Sequence, residues 1–301
     1  MRVPLTIAIV LAASVLAASA PAVAQSVPDW ISVDGHFALG YSDRTPGADV
    51  FGVGDATLRF SPDFTAPFGF ELGFYGRADA LDTPHETYGA LIWDLGQNGR
   101  LSLGAVRPAY DGFAVSALEI SFPSLGIDRA GSTRSAATFG AMFANWLPYG
   151  ASFSNHTDTL HYAVSVHHAS NVDTTVASFG AGADYGDWQF SGALEAAWGT
   201  STEVSGKLQA KGQFGPVTGG VGYYTPGIVG GSDLVELFAT YRPQDNLEFS
   251  AVAQVPVDGA KDPTAGVAAR YSFTDHTDVS VGVASDAGSD AVLNAFVDFR
   301  F

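Results

Sequence analysis

The chain contains no cysteine among its 301 residues. Without thiols it can form neither disulfide bonds nor thiolate metal sites, and cysteine-based catalysis is excluded. Charged residues are also scarce, at 15% of the chain, whereas roughly a quarter is usual for soluble domains. Basic residues are the scarcer kind, with 14 Lys and Arg against 31 Asp and Glu. The net charge of −17 therefore argues against a nucleic acid partner.

Long apolar runs are missing beyond the first residues of the chain. The longest uncharged stretch, 135–155, is interrupted by Gly140, Asn145, Pro148 and Gly150, and a membrane helix needs about 20 apolar residues. If the chain enters a membrane, we expect it to do so as a closed β-barrel, because only helices and closed barrels satisfy their backbone groups in lipid. The content of 35 glycines and 12% aromatic residues suits such a barrel.

The N-terminus has the pattern of a secretory signal peptide. Arg2 provides the positive start, an apolar run extends from Leu5 to Ala17, and Ala22-Val23-Ala24 forms an A-x-A cleavage site. We therefore predict a signal peptide over residues 1–24, cleavage near Ala24, and one mature domain over residues 25–301. The alternative of a retained helical anchor is disfavoured because the apolar run is too short to span a bilayer.

The last residues of the chain alternate strictly between apolar and polar side chains. Leu293, Ala295, Val297, Phe299 and Phe301 share one face, and the other face carries Asn294, Asp298 and Arg300. A period of two predicts a β-strand. An apolar face towards lipid and a charged face towards a lumen are typical of a membrane barrel. An edge strand of a soluble sandwich is the alternative that this segment alone leaves open.

Similar alternating runs recur along the mature chain. Examples are Phe68 to Asp79, Trp188 to Gly199, and a hairpin of Thr87 to Leu95 with Arg100 to Val106, which turns around Asn98-Gly99. About sixteen runs can be counted, and tight connections alternate with longer ones. These features predict an all-β fold, a transmembrane antiparallel β-barrel of about 16 strands with turns at one rim and loops at the other.

The alternation breaks between Arg107 and about Asn145, where prolines, glycines and scattered charges show no sustained period of two. A connection of this length inside a compact domain is usually functional. We therefore predict a functional loop here. Its charged residues are Asp111, Glu119, Asp128, Arg129 and Arg134.

Three stretches resemble the Gram-negative general-diffusion porins, most of all the alphaproteobacterial type. They are GDATLRFSPDFTAPFGFELGFYGRADA (Gly54 to Ala80), NGRLSLGAVRPAYDGF (Asn98 to Phe113) and the terminal VDFRF. The resemblance covers essentially the whole mature chain. It implies a homotrimer in the outer membrane, in contact with lipid and lipopolysaccharide, and a water-filled channel for passive diffusion of small hydrophilic solutes and ions.

The resemblance also implies a long third outer loop that folds into the lumen and narrows the pore. Its candidate residues in the constriction loop are Asp111, Glu119, Asp128, Arg129 and Arg134, and those of the pore wall are Arg59, Glu71, Arg77, Asp79, Arg107, Lys207 and Lys211. Loop acids facing wall arginines would create a transverse field that orients dipolar solutes. This loop is less acidic than the family pattern and carries its own arginines, so the sign of selectivity is left open. Alternatively, the wall arginines are ordinary lumen charges paired with Glu71 and Asp79.

No cofactor is predicted, although the acidic loops could hold structural calcium through residues such as Asp173, Asp233, Asp262, Asp286 and Asp290. His161 and His167 would share a strand face about 20 Å apart and His168 would point the other way, so they do not form a metal site together. Three further functions remain open: a solute-specific porin, a barrel enzyme using Ser154, His156 and Asp158, and a soluble secreted β-protein. We do not predict an enzyme.

Overall fold

The computed structural model describes residues 30–43, 50–60, 68–79, 83–123, 125, 129–199, 202–227, 231–259, 262–285 and 291–301. The predicted signal peptide, residues 1–24, lies outside this part of the chain. Within it the chain forms the strands β1 (Ile31–Ser42), β2 (Val50–Phe60), β3 (Phe68–Asp79), β4 (His85–Asp94), β5 (Arg100–Ala105), β6 (Pro148–His156), β7 (Leu160–Ala169), β8 (Thr174–Tyr185), β9 (Trp188–Trp198), β10 (Thr202–Phe214), β11 (Val217–Thr225), β12 (Leu234–Gln244), β13 (Leu247–Pro256), β14 (Thr264–Thr274), β15 (Thr277–Ser285) and β16 (Ala291–Arg300).

The strands form one closed barrel in which each strand pairs antiparallel with its neighbours in sequence. The barrel closes where β1 pairs with β16, with Phe37 opposite Phe299. The prediction of an all-β antiparallel barrel of about 16 strands is confirmed. Predicted strand ends are close to the observed ones: β3 matches at both ends, and β4 begins at His85 rather than at Thr87.

The outer face of the barrel is apolar and the inner face is polar. On β3, Phe68, Phe70, Leu72 and Phe74 are 41% to 50% exposed, whereas Glu71 on the opposite face bonds to a neighbouring strand. On β9 the exposed apolar side chains are Trp188, Phe190, Leu194 and Trp198. A soluble sandwich would turn such side chains into a dry core. This distribution is instead typical of a barrel that faces lipid.

The connections differ between the two rims. At one rim, here called the turn rim, β8 and β9 are joined by residues 186–187, β10 and β11 by 215–216, and β12 and β13 by 245–246. At the other rim β5 and β6 are separated by residues 106–147, here called the β5–β6 segment. The predicted alternation of tight and longer connections holds for these hairpins but not throughout, since residues 61–67 separate β2 from β3 at the turn rim and only 199–201 separate β9 from β10 at the other rim. No helix in the described ranges has the length and apolar character that crossing a membrane requires.

The β5–β6 segment is more regular than the sequence suggested. Its described residues include a 3-10 turn (Ala109–Gly112) and the short helices α1 (Ala117–Ser121), α2 (Ala130–Thr133) and α3 (Ala136–Ala144). Serine caps α1 and α3, because Ser116 Oγ accepts the Leu118 N–H and Ser135 Oγ accepts the Ala137 N–H. The sequence shows no sustained period of two here, and helices of four to nine residues are too short to display a helical period.

Candidate functional site

The β5–β6 segment is hydrogen-bonded to inward-facing side chains of strands spread around the barrel. The Ala109 N–H donates to Ser165 Oγ on β7 at 2.9 Å, and the Ala114 N–H donates to Ser191 Oγ on β9 at 2.8 Å. On β14, Arg270 Nη2 donates to the Ile120 carbonyl oxygen at 3.0 Å. Backbone groups that water would solvate in an ordinary surface loop are here satisfied by the barrel wall.

Glu236 on β12 is the most extensively bonded wall residue at this level. Its carboxylate accepts from Ser116 Oγ at 2.5 Å, the Ala117 N–H at 2.8 Å, and the Leu118 N–H at 3.3 Å. Tyr224 Oη at 3.2 Å and Gln254 Nε2 at 2.9 Å complete the shell. A carboxylate at a helix N-terminus meets unpaired N–H groups and the positive end of the helix dipole. Glu236 therefore fastens the start of α1 to the wall.

Glu195 on β9 holds the start of α3 in the same way. It accepts from Ser135 Oγ at 2.5 Å and from the Ala136 N–H at 2.8 Å. Between the two glutamates, Lys207 Nζ on β10 donates to the Thr133 carbonyl oxygen at 2.9 Å. All three wall side chains are buried. The wall therefore contributes charged side chains that hold helix ends.

An apolar contact adds to these polar ones where α1 ends. Phe122 and Leu118 are buried and pack with Val252 of β13. A Cβ added at Gly266 would lie 2.6 Å from the Phe122 ring, and one added at Gly282 would lie 2.7 Å from it. Both distances are shorter than a Cβ atom keeps from other heavy atoms in proteins. The two glycines of β14 and β15 therefore provide the space in which the ring lies.

The segment crosses to the far side of the barrel at Glu119. This carboxylate forms an ion pair with Arg134 and accepts from Tyr75 Oη of β3 at 3.0 Å, and the guanidinium carbon of Arg134 lies 4.3 Å from the centre of the Tyr75 ring. Burial disfavours the charge on Arg134, but the adjacent Glu119 carboxylate overcomes this and raises the pKa of Arg134 well above its ordinary value. Both predicted loop charges are thus held in a buried pair.

The other predicted loop residues also bond within the protein. Asp111 is buried and accepts from the Ser135 N–H at 2.6 Å and from Thr138 Oγ1 at 2.5 Å, so it joins the 3-10 turn to α3. Arg129 Nη2 donates to Thr264 Oγ1 of β14 at 2.5 Å. Asp128 lies outside the described residues. The two described acids thus hold the segment together rather than point into open space.

Two of the predicted wall arginines are bound by carboxylates. Arg107 follows β5 and so belongs to the segment. It bonds Asp55 with both terminal nitrogens, Nη1 to Oδ2 at 2.9 Å, and lies 4.1 Å from the Tyr88 ring centre. Arg59 donates to Glu71 at 2.8 Å and to Asp34 at 2.9 Å. The alternative that wall arginines pair with lumen carboxylates therefore fits Arg59, with Glu71 as its partner.

The remaining predicted wall residues are distributed along the inner face. Arg77 on β3 lies opposite Val53, on the same face as Tyr75. Asp79 ends β3, and its side chain lies outside the described part. Lys211 is half-buried on β10, four residues from Lys207 and therefore on the same face. These residues are not brought into one cluster with Arg59.

The histidines of β7 are separated as the alternation predicted. His161 stacks on Phe113, His167 bonds Ser165 Oγ at 3.0 Å, and His168 bonds Thr175 Oγ1 at 3.0 Å. His161 and His167 thus contact residues of the inner face, and His168 belongs to the other face. Within the described ranges, no three His, Cys, Asp or Glu residues are grouped as a metal site.

The roles of Glu195, Glu236 and Phe122 in holding the segment were not predicted. One signal was present in the sequence: Ser116-Ala-Leu-Glu119 has the S-x-x-E spacing of a helix N-terminus. Nothing local in the sequence marks Glu236 as the partner of that helix, since 119 residues separate it from Ala117. This pairing depends on the closure of the barrel.

A closed sixteen-stranded antiparallel barrel with an apolar exterior, a polar interior and a long β5–β6 segment bonded to the inner wall has the fold of a porin. No family model and no curated protein matches the chain. Solved structures do match: a mutant of the Rh. blastica porin has a TM-score of 0.68 at 18% identity, covering 90% of this chain and 100% of its own.

A triple mutant of the Rhodopseudomonas blastica porin likewise has a TM-score of 0.68 at 18% identity, and the match covers 90% of this chain and 100% of that one. A further structure, described as concerning asymmetric conductivity of engineered proteins, has a TM-score of 0.69 at 19% identity. The match covers 90% of this chain and 100% of that one. These similarities extend over the barrel as a whole. At such identities they define the fold of the chain.

Proposed function

We propose that the protein is an outer-membrane porin, a water-filled channel for passive diffusion of small hydrophilic solutes and ions. One observation carries this proposal: the β5–β6 segment is bonded to inward-facing side chains of β3, β7, β9, β10, β12 and β14. A segment with such partners lies inside the barrel and narrows it. The apolar outer face supports the membrane location.

The charge pairs of the inner wall support weak rather than strong ion selectivity. Glu119 is neutralised by Arg134, and Asp55 is neutralised by Arg107. Closely spaced opposite charges cancel at a distance, so they contribute little to the field that a passing ion experiences. In this proposal Lys211, which is half-buried on the inner face, acts on ions more strongly than the paired arginines do.

The route and surroundings of the protein follow from the same proposal. The chain is exported through the periplasm, loses residues 1–24 near Ala24, and enters the outer membrane, where it contacts lipid and lipopolysaccharide. Three copies assemble into a homotrimer. Calcium at the acidic outer loops stays a prediction, and the proposed activity requires no cofactor and is not enzymatic.

Single-channel recording in a planar bilayer tests the proposed function. Purified mature protein is expected to give stepwise conductance in groups of three, and a salt gradient should give a reversal potential near zero because the charges are paired. The variant Lys211→Gln should shift that potential towards cation selectivity. Protein that is folded, as judged by heat-dependent migration on a gel, but gives no conductance step would overturn the proposal.

A solute-specific porin remains the second candidate, because a charged cavity at the turn rim is lined by Arg270, which also bonds the backbone of the exposed residue Ile120 in the β5–β6 segment.

A further inference from the structure

A polar cavity of about 300 Å³ lies on the inner side of the turn rim between β12 and β16. Its charged lining residues include Arg242, Glu248, Arg270 and Arg300, together with Asp245 in the β12–β13 turn. Both signs of charge are therefore present within a volume that suits a small molecule. A ligand with one sign of charge would meet repulsion from part of the lining, whereas a zwitterion would find partners for both its groups.

The geometry of the arginines leaves donors available in this cavity. Arg242 bonds Glu248 at 2.5 Å with one terminal nitrogen, and its side chain is 59% exposed. A guanidinium has five N–H donors, so the remaining ones can bind a carboxylate. Asp245 and Asp275 are exposed and line the same cavity. They offer oxygens to an ammonium group.

An exposed apolar residue is hydrogen-bonded through its backbone to one of the arginines that line this cavity. Arg270, which lines the cavity, donates to the Ile120 carbonyl oxygen at 3.0 Å, and this bond places the end of α1 beside it. The Ile120 side chain is 53% exposed, whereas Leu118 and Phe122 on either side of it are buried against the wall. Apolar surface in contact with water favours contact with an apolar group of a solute.

From this juxtaposition we propose a solute-binding site for small zwitterions that carry an apolar side chain, with an amino acid such as leucine as the representative. The carboxylate of the solute binds Arg242, its ammonium group binds Asp245 or Asp275, and its side chain lies on Ile120. This proposal rests on the proposed channel function only for its effect on transport. Binding itself requires only the folded barrel with its β5–β6 segment bonded to the wall.

The test compares leucine with asparagine, which has a similar size and the same zwitterionic backbone but a polar side chain. Entry into liposomes containing the protein is measured by swelling, with arabinose as a neutral reference solute. Equilibrium dialysis of labelled leucine against the folded barrel in detergent measures binding independently of transport. The variants are Ile120→Thr and, as a matched control, Leu208→Thr, which changes a 66% exposed residue on the outer face of β10.

We expect leucine to enter about threefold faster than asparagine, because contact with roughly 25 Å² of apolar surface changes partitioning by that factor. Ile120→Thr should abolish this preference, leave arabinose entry unchanged and weaken leucine binding in dialysis. Leu208→Thr should leave the preference for leucine, the entry of arabinose and the binding of leucine as they are in the wild type.

Two other results have distinct meanings. Equal entry and equal binding of leucine and asparagine, or a preference that persists in Ile120→Thr, would overturn the binding site. Absence of arabinose entry would overturn the channel function, and the dialysis experiment would then still decide whether the site exists.

Discussion

Replacing Glu236 by alanine is expected to release the start of α1 from the barrel wall. The substitution removes the acceptor of five hydrogen bonds. Leu118 and Gln254 keep Ser116 Oγ as a partner at 3.2 and 3.1 Å, so the donors left without an acceptor are the Ala117 N–H and the hydroxyl groups of Ser116 and Tyr224. A buried donor that loses its partner costs about 1 to 3 kcal/mol.

At the low end of this range the three donors together cost about 3 kcal/mol, which raises the population of the detached segment roughly hundredfold. The strand pairing of the barrel is separate from this contact, so the barrel itself should stay folded and keep its heat-dependent migration on a gel. Single-channel recordings of Glu236→Ala should show a larger mean conductance and greater current noise in the open channel. Limited trypsin digestion should cleave after Arg129 or Arg134.

Two further variants make this prediction specific. Glu236→Gln keeps one acceptor oxygen but directs an NH₂ group towards donors, so its effect should lie between those of the wild type and alanine. Glu71→Ala removes a wall glutamate that bonds Arg59 rather than the segment, and it should leave the noise unchanged. If Glu236→Ala showed wild-type current noise and wild-type resistance to trypsin, Glu236 would not be holding the segment to the wall.

Three other substitutions probe the remaining contacts. Gly282→Ala places a methyl group 2.7 Å from the Phe122 ring, so it should destabilise the docked segment by about 1 to 3 kcal/mol. The segment should then be cleaved faster by trypsin, and an unchanged rate of cleavage would contradict this prediction. Arg134→Leu removes the counter-ion of Glu119 and leaves it only the Tyr75 hydroxyl, at a cost of up to about 3 kcal/mol, and adding Glu119→Leu should recover part of this cost in chemical denaturation. Additive effects would rule out coupling. Arg107→Gln frees an aspartate in the lumen and should shift the reversal potential towards cations; no shift would contradict its inward position.

The barrel was predictable because each strand carries its own signal. In β3 the alternation of aromatic and polar residues gives both ends of the strand and the direction of each face. In the hairpin of β4 and β5, Asn98-Gly99 gives the turn. The number of strands follows from counting such local patterns, and the barrel closure follows from the need to pair every edge.

The arrangement of the charges was not predictable in the same way. Asp111 and Glu119 were expected to face arginines across the pore, but Asp111 bonds α3 and Glu119 pairs with Arg134 of the same segment. Which acid meets which donor depends on how short helices pack inside the barrel, and helices of this length carry no periodic signal. The partners of the individual residues therefore depend on tertiary contacts, which the sequence does not display.

The long separation in sequence between the β5–β6 segment and its wall partners constrains the order of folding. Ala117 and Glu236 are 119 residues apart, and Gln254 is 138 residues from Ser116. We expect the helix ends of the segment to gain these acceptors only once strand pairing has brought β12 and β13 into the barrel. Loop-closure entropy opposes such distant contacts until intervening strands have paired. The contacts that hold the segment to the wall are thus completed last, after the outline of the barrel has formed.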